Sequence, residues 1–205
     1  MLLRQVGIEP MTTAPGVDED AVAAAAAAER GTDLTPPELV LLLARAKAAD
    51  VASRVAEEHA DFDGIVVGGD SMFEIGGQVH GKPHTADAAR TRWQQMRGET
   101  GVLHSGHSVI RVRPGAEPVE ATATAAASVS FADDVTDAEI DAYVASGEPL
   151  HVAGAFTVDS LGGAFITRVE GDPSTVVGMS LSTLRRLVRE LGVEWTELWS
   201  LPQRP

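Results

Sequence analysis

The stretch from Thr35 to Asp70 constrains the fold more than any other part of the chain. Thr35-Pro36-Pro37-Glu38 joins a capping box (Thr35 with Glu38) to a proline at the first helical position, so a helix opens there. Leu39, Leu42, Leu43, Ala46, Val51 and Val55 roughly follow helical spacing, which predicts a helix to about His59. Ile65-Val66-Val67 comes next, a short continuous apolar run of the kind found in buried strands, and Gly68-Gly69-Asp70 is expected to end it. A capped helix feeding directly into a buried strand calls for a layered fold in which helices cover a sheet.

The remainder continues that alternation. Residues 1–30 are expected to be irregular apart from two features. Leu2, Leu3 and Val6 followed by Gly7 read as the last turn of a helix, and Ala21–Ala28 is helical on propensity; Gly16–Asp20 between them reads as an acidic turn. Ser71–Ile75, Gly76-Gly77 and Gln78-Val79 read as a hairpin, and Thr85–Met96 as a capped helix. Strands are expected at Val102–Leu103, Ser108–Val112, Glu120–Phe131 and Ala164–Val169. A second capping box at Thr136-Asp137-Ala138-Glu139 opens a helix to Gly147, and a last helix starts near Ser182 and stops at Gly192. The expected architecture is one α/β domain over residues 1–205 with an elongated mixed sheet, plus a tail at 193–205 whose two tryptophans pack on the body or on a partner subunit.

Composition narrows the chemistry. The chain has no cysteine, which excludes disulfides and thiolate metal sites and suits a reducing compartment. It has no signal-peptide pattern at its start and no apolar run long enough to span a bilayer, so a cytoplasmic protein is expected. Aromatic residues make up only 4%, so the core is expected to be built from Val, Leu, Ile and Ala. A net charge of −14 disfavours nucleic acid and anionic membranes as partners. A polyanion would need a local basic pocket or a divalent cation. Of the 16 basic residues only Lys47 and Lys82 are lysines, and an ammonium is a compact point charge that fits beside phosphate oxygens.

Asp70 at the end of the predicted strand and Gly81-Lys82-Pro83 after the hairpin form the best candidate constellation. A carboxylate can hold Mg²⁺ or deprotonate water, and a lysine fixed between glycine and proline can neutralise phosphoryl oxygens. Each residue alone has a plainer reading: Asp-Ser as a turn, Lys47 as an exposed helical charge, Glu19 as a solvated acid. His104 and His107 flank an expected strand turn with no third ligand nearby, so no zinc site is expected. The chain also lacks a dinucleotide fingerprint, a phosphate loop and a nucleophile elbow.

At these positions the chain resembles the Maf family of nucleotide pyrophosphatases, in the form its actinobacterial members take. The resemblance is carried by Val17-Asp18-Glu19, Leu43–Ala48, Val66–Ser71 and His80-Gly81-Lys82-Pro83 in the first half. It continues through Gly101–His107, Ala142–Pro149, Val152–Phe156 and Gly171–Gly178, in order, over about residues 2 to 192. The family implies a cleft between two lobes, a homodimer, and hydrolysis of nucleoside triphosphates, standard or modified, to monophosphate and pyrophosphate with a divalent cation, Mg²⁺ or Mn²⁺. By resemblance Asp70 is the proton acceptor, Lys47 and Lys82 contact phosphate, and Glu19 is the conserved acid, sharing a metal with Asp70. Ser71 and Gly81 fall in its substrate-binding motifs.

Two departures matter. Asp159 stands where thymidine- and uridine-nucleotide members carry glutamine, and a carboxylate only accepts hydrogen bonds, which points to a base presenting donors, such as guanine. The family's first strand and Ser-x-Ser-Pro-Arg-Arg segment have no counterpart here, so a truncated form with weakened catalysis is one expectation. The competing reading is a catalytically weak, nucleotide-binding regulator of cell division, since the family is also linked to septum formation.

Overall fold

A computed structural model of the chain describes residues 2–200. The elements in order are α1 (Leu2–Gln5), α2 (Glu19–Arg30), α3 (Pro36–Glu58), β1 (Gly64–Ile75), β2 (Gln78–His80), α4 (Ala86–Met96), β3 (Thr100–Val112) and β4 (Val119–Phe131). They are followed by α5 (Asp137–Ala145), three short 3-10 segments, β5 (Ile166–Gly171), α6 (Pro173–Val176), α7 (Leu181–Glu190) and a 3-10 turn at Trp195–Leu198. The five strands form one sheet in the order β2-β1-β3-β4-β5, with β1–β2 and β4–β5 antiparallel. The six residues joining β3 to β4 are too few for a crossover, which makes that pair antiparallel too. The helix-flanked sheet that the sequence predicts is present.

Contacts group the chain into two compact units. The first takes the chain up to Asp70, Gly106–Thr124 and everything from Leu181 on; the second takes Ser71–Ser105 and Ala125–Ser180.

The first unit is built around α3. Its capping box forms as the sequence requires, with the Thr35 N–H donating to Glu38 at 2.9 Å. The helix buries Val40, Leu43, Ala44, Ala48 and Ala52, and Ala48 and Ala52 share a small aliphatic core with Val66, Ile110 and Val112. Two glycines set how close α3 can lie. A Cβ on Gly68 would stand 2.3 Å from Ala44 O and 2.8 Å from Ala48 N; one on Gly106 would stand 2.2 Å from Val40 O. Both glycines lie within continuous strands, contrary to the expectation that Gly68 helps end one and that Gly106 lies in a turn. β1 runs unbroken from Gly64 to Ile75, and β3 from Thr100 to Val112 through the segment read as a turn around His104 and His107. Asp70 accordingly sits inside a strand and not at its C-terminal edge.

The expected acidic turn is also corrected: Glu19 opens α2, with Asp18 as N-cap accepting from the Ala21 N–H at 3.0 Å. At the far end of the chain the Ser200 N–H donates to Gly7 O at 2.7 Å, which ties the tail to the first turns. The expected tail continues to 205, beyond the described residues.

The core of the second unit is mostly Val, Leu, Ile and Ala, as expected, but it also holds a cluster of rings. Its few aromatics gather in one place: Phe73, Trp93, Phe131, Tyr143, Phe156 and Phe165 meet edge-on at centroid distances of 4.9–6.0 Å. Edge-to-face packing matches ring edges to ring faces and stabilises beyond the area buried. The buried Trp93 ring also donates its Nε1–H to Ala155 O at 2.7 Å.

Candidate active site

Strand periodicity explains how the first unit assembles its polar centre. Val66, Gly68 and Asp70 share one face of β1 because side chains alternate along a strand. On α3, Ala44, Lys47 and Ala48 share one face at i, i+3 and i+4. Gly68 docks against Ala44 and Ala48, so Asp70, two residues further along the same strand face, meets Lys47. The Lys47 Nζ donates to Asp70 Oδ1 at 2.7 Å.

Glu19 completes the group. It is the first residue of α2, and its Oε1 lies 2.8 Å from the same Lys47 Nζ. The segment leading into α2 is itself pinned to α3. The Gly16 N–H donates to Asp50 Oδ2 at 2.9 Å, and the Arg54 guanidinium donates to both Ala14 O and Asp50 at 2.9 Å. Asp70 and Lys47 are largely enclosed, with side chains 13% and 16% exposed, whereas Glu19 is 49% exposed. Burial by itself would lower the Lys47 pKa, but hydrogen bonds and charge from Asp70 and Glu19 outweigh it and leave that pKa raised. Lys47 is therefore an ammonium throughout the neutral range.

Two carboxylates on one ammonium form a centre of hard oxygen donors. Among the described residues no group of three or more His, Asp or Glu is placed to hold a metal ion. Two carboxylates still fit a cation such as Mg²⁺, which is usually bound by one or two carboxylates with substrate phosphates and water completing the octahedron.

The other candidates belong to the second unit. Ser71 points to the opposite strand face from Asp70; its hydroxyl donates to Ser105 Oγ at 3.0 Å, and Ser105 in turn donates to Gly178 O at 3.2 Å. Gly81 and Lys82 are exposed on the loop after β2, and no carboxylate among the described residues pairs with Lys82. The Gly81 carbonyl accepts from Arg92 Nη1 at 2.5 Å, which fixes the backbone beside Lys82. Asp159 is exposed on the loop after Phe156. The structure thus brings Lys47, Asp70 and Glu19 together. It places Ser71, Gly81, Lys82 and Asp159 in the other unit.

Sequence reasoning missed one polar cluster. Glu148 accepts hydrogen bonds from Tyr143, Thr157, Ser160, Leu161 and Gly162. Its one visible signal was its setting between glycine and proline, the same framing that singled out Lys82. His104, set aside as a zinc ligand, has Nε2 at 2.9 Å from Glu74 Oε2.

Comparison with known proteins then bears on what this arrangement does. A family model described as "Maf-like protein" matches residues 1–191. A protein of Leifsonia xyli subsp. xyli named nucleoside triphosphate pyrophosphatase is 63% identical over 199 residues, covering 97% of this chain and 91% of the relative. Proteins with the same name from Nocardia farcinica and Rhodococcus jostii are 51% and 50% identical, covering 99% and 97% of this chain and 92% and 90% of their own lengths.

Proposed function

Since this chain belongs to the Maf-like protein family, we propose that it is a nucleoside triphosphate pyrophosphatase whose hydrolytic centre is Asp70, Lys47 and Glu19. It is a hydrolase that converts a nucleoside triphosphate to the monophosphate and pyrophosphate, the house-cleaning reaction that removes surplus or modified nucleotides. The convergence of two carboxylates on Lys47, at 2.7 and 2.8 Å, is the observation that carries the assignment of the centre.

In the proposed reaction a water oxygen attacks the α-phosphorus. Its proton passes to the Asp70 carboxylate, and the bond from the α-phosphorus to the bridging oxygen breaks, releasing pyrophosphate. Lys47 holds Asp70 in a fixed orientation through the 2.7 Å contact, so the base is positioned before substrate arrives. Lys82, exposed and without a carboxylate partner among the described residues, is suited to neutralise the charge that develops on the leaving pyrophosphate. The family resemblance assigns Ser71 and Gly81 to substrate binding. A divalent cation, Mg²⁺ or Mn²⁺, held by Asp70 and Glu19 would supply Lewis-acid stabilisation of phosphoryl oxygens. Asp159, an acceptor-only group on an exposed loop, favours a base that presents donors, which points to guanine or a modified guanine.

The proposal extends to a cytoplasmic homodimer, as the resemblance implies. No helix among the described residues is long and apolar enough to cross a membrane.

The test is pyrophosphate release across a nucleotide panel, with and without Mg²⁺, for wild type and Asp70→Asn. Turnover that requires the cation and drops at least about 100-fold in the variant supports the centre. Unchanged turnover in Asp70→Asn removes Asp70 from the mechanism, and nucleotide binding without any turnover favours the regulatory alternative.

A further inference from the structure

Glu148 has more hydrogen-bond donors around it than a surface acid needs, and four of the five come from one short loop. Its Oε1 accepts from Tyr143 Oη at 2.9 Å, the Gly162 N–H at 3.1 Å and Thr157 Oγ1; its Oε2 accepts from Ser160 Oγ at 2.7 Å and the Leu161 N–H at 3.2 Å. The acid is itself rigidly presented, with Gly147 before it at φ 80° and the buried Pro149 after it. Tyr143 fixes the other side: its ring packs edge-on against Trp93 and Phe165 at 5.3 and 5.7 Å, so the carboxylate is referenced to the aromatic core. Burial pushes the Glu148 pKa up, yet the surrounding donors win and hold it near 2, so the group stays anionic.

The loop so gathered is residues 157–162. Thr157 and Ser160 are tied by their side chains, Leu161 and Gly162 by their backbones, and Asp159 lies between the anchored positions with its side chain exposed. Gly162 allows the closure, because a Cβ there would stand 2.5 Å from Tyr143 Oη and 2.7 Å from Thr157 O.

We propose that Glu148 is a positioning residue that sets the 157–162 loop before substrate binds, so that Asp159 is presented as a fixed acceptor for the donor edge of a guanine-type base. This deepens the base-recognition reading of Asp159 given above and rests on it. A loop fixed in advance does not have to be ordered at the expense of binding energy, so the clamp improves discrimination between bases more than it improves triphosphate chemistry.

The test compares kcat/KM for GTP and for dTTP in four variants whose folding is checked by thermal melting: Asp159→Asn, Glu148→Gln, Ser160→Ala and Thr157→Val. The amide of Glu148→Gln keeps the shape but cannot accept on both atoms. It is expected to lower the GTP/dTTP ratio about 10-fold, chiefly through KM for GTP. Ser160→Ala and Thr157→Val each remove one tie and are expected to lower the ratio a few-fold. Should Glu148→Gln fail to fold, these two decide the matter.

A ratio within twofold of wild type in the clamp variants, with Asp159→Asn reducing it, overturns the positioning role and leaves Asp159 as the base contact. A ratio lowered by the clamp variants but untouched by Asp159→Asn supports the clamp and overturns Asp159 as the acceptor. If none of the four moves the ratio, both ideas are wrong.

Discussion

Replacing Gly68 with alanine tests how the fold builds the centre. The added Cβ would stand 2.3 Å from Ala44 O, whereas ordinary carbon–oxygen contacts begin near about 3.3 Å, so helix or strand must give by about 1 Å. Ala44 O and Ala48 N are the two ends of one helical hydrogen bond, so neither can swing aside as a side chain would. Overpacking of this kind costs about 1–3 kcal/mol, and a clash with backbone belongs at the upper end. Loss of glycine's freedom in the unfolded chain offsets about 0.4–1 kcal/mol of that. A net loss of about 1–2.5 kcal/mol translates to a melting temperature lower by about 2–10 °C in a chain of this size. The same displacement acts two residues away on the 2.7 Å contact between Lys47 and Asp70, and a misplacement of about 1 Å can lower turnover on the order of 100-fold. Thermal and urea unfolding read the first effect, and steady-state pyrophosphate release reads the second. Gly81→Ala is the stability control, since a Cβ there meets nothing within 4 Å. If Gly68→Ala melted with wild type and turned over within twofold of it, the close approach of α3 would not be what positions the site.

Three further outcomes are expected. Lys47→Ala leaves Asp70 and Glu19 without their shared ammonium and lowers kcat by at least about 100-fold, measurable by pyrophosphate release with folding checked by circular dichroism. Trp93→Phe removes the 2.7 Å bond to Ala155 O and leaves a cavity among the rings; urea unfolding should register a loss of about 2–4 kcal/mol with little change in KM. The Glu148 carboxyl lies near 2 in the folded protein against an ordinary 4.5, so its stabilising contribution is complete above about 4.5 and fades as the pH falls through about 2. The gap in melting temperature between wild type and Glu148→Gln should therefore be full at pH 6 and shrink steadily below about pH 4.5; a constant gap would show that the donors do not hold the carboxylate ionised.

What the sequence disclosed and what it hid follow from the range of the forces involved. The start of α3 was legible because Thr35, Pro36 and Glu38 act within one turn, and the same holds for α5 at Thr136 and Glu139. The unbroken course of β1 and β3 was not. Gly68 and Gly106 carry the local signature of a turn, and their actual reason is the backbone of a helix distant in sequence from at least one of them. Asp70, Lys47 and Glu19 stand out as candidates through motif and chemistry, yet the meeting of the two acids on the Lys47 ammonium depends on that packing. Glu148 lies within the Ala142–Pro149 stretch with no local pattern to give it a role, because its importance comes from donors nine to fourteen residues downstream that only the folded loop brings round. The aromatic cluster was hidden for a similar reason: composition counts the rings but does not reveal that six of them share one core.

Hydrolysis of a nucleoside triphosphate in ¹⁸O-labelled water interrogates the chemistry at the centre most directly. Attack on the α-phosphorus by a water that Asp70 deprotonates places the label in the nucleoside monophosphate, leaves pyrophosphate unlabelled, and is lost in Asp70→Asn. Label appearing in pyrophosphate, or equal labelling rates in wild type and Asp70→Asn, would contradict it.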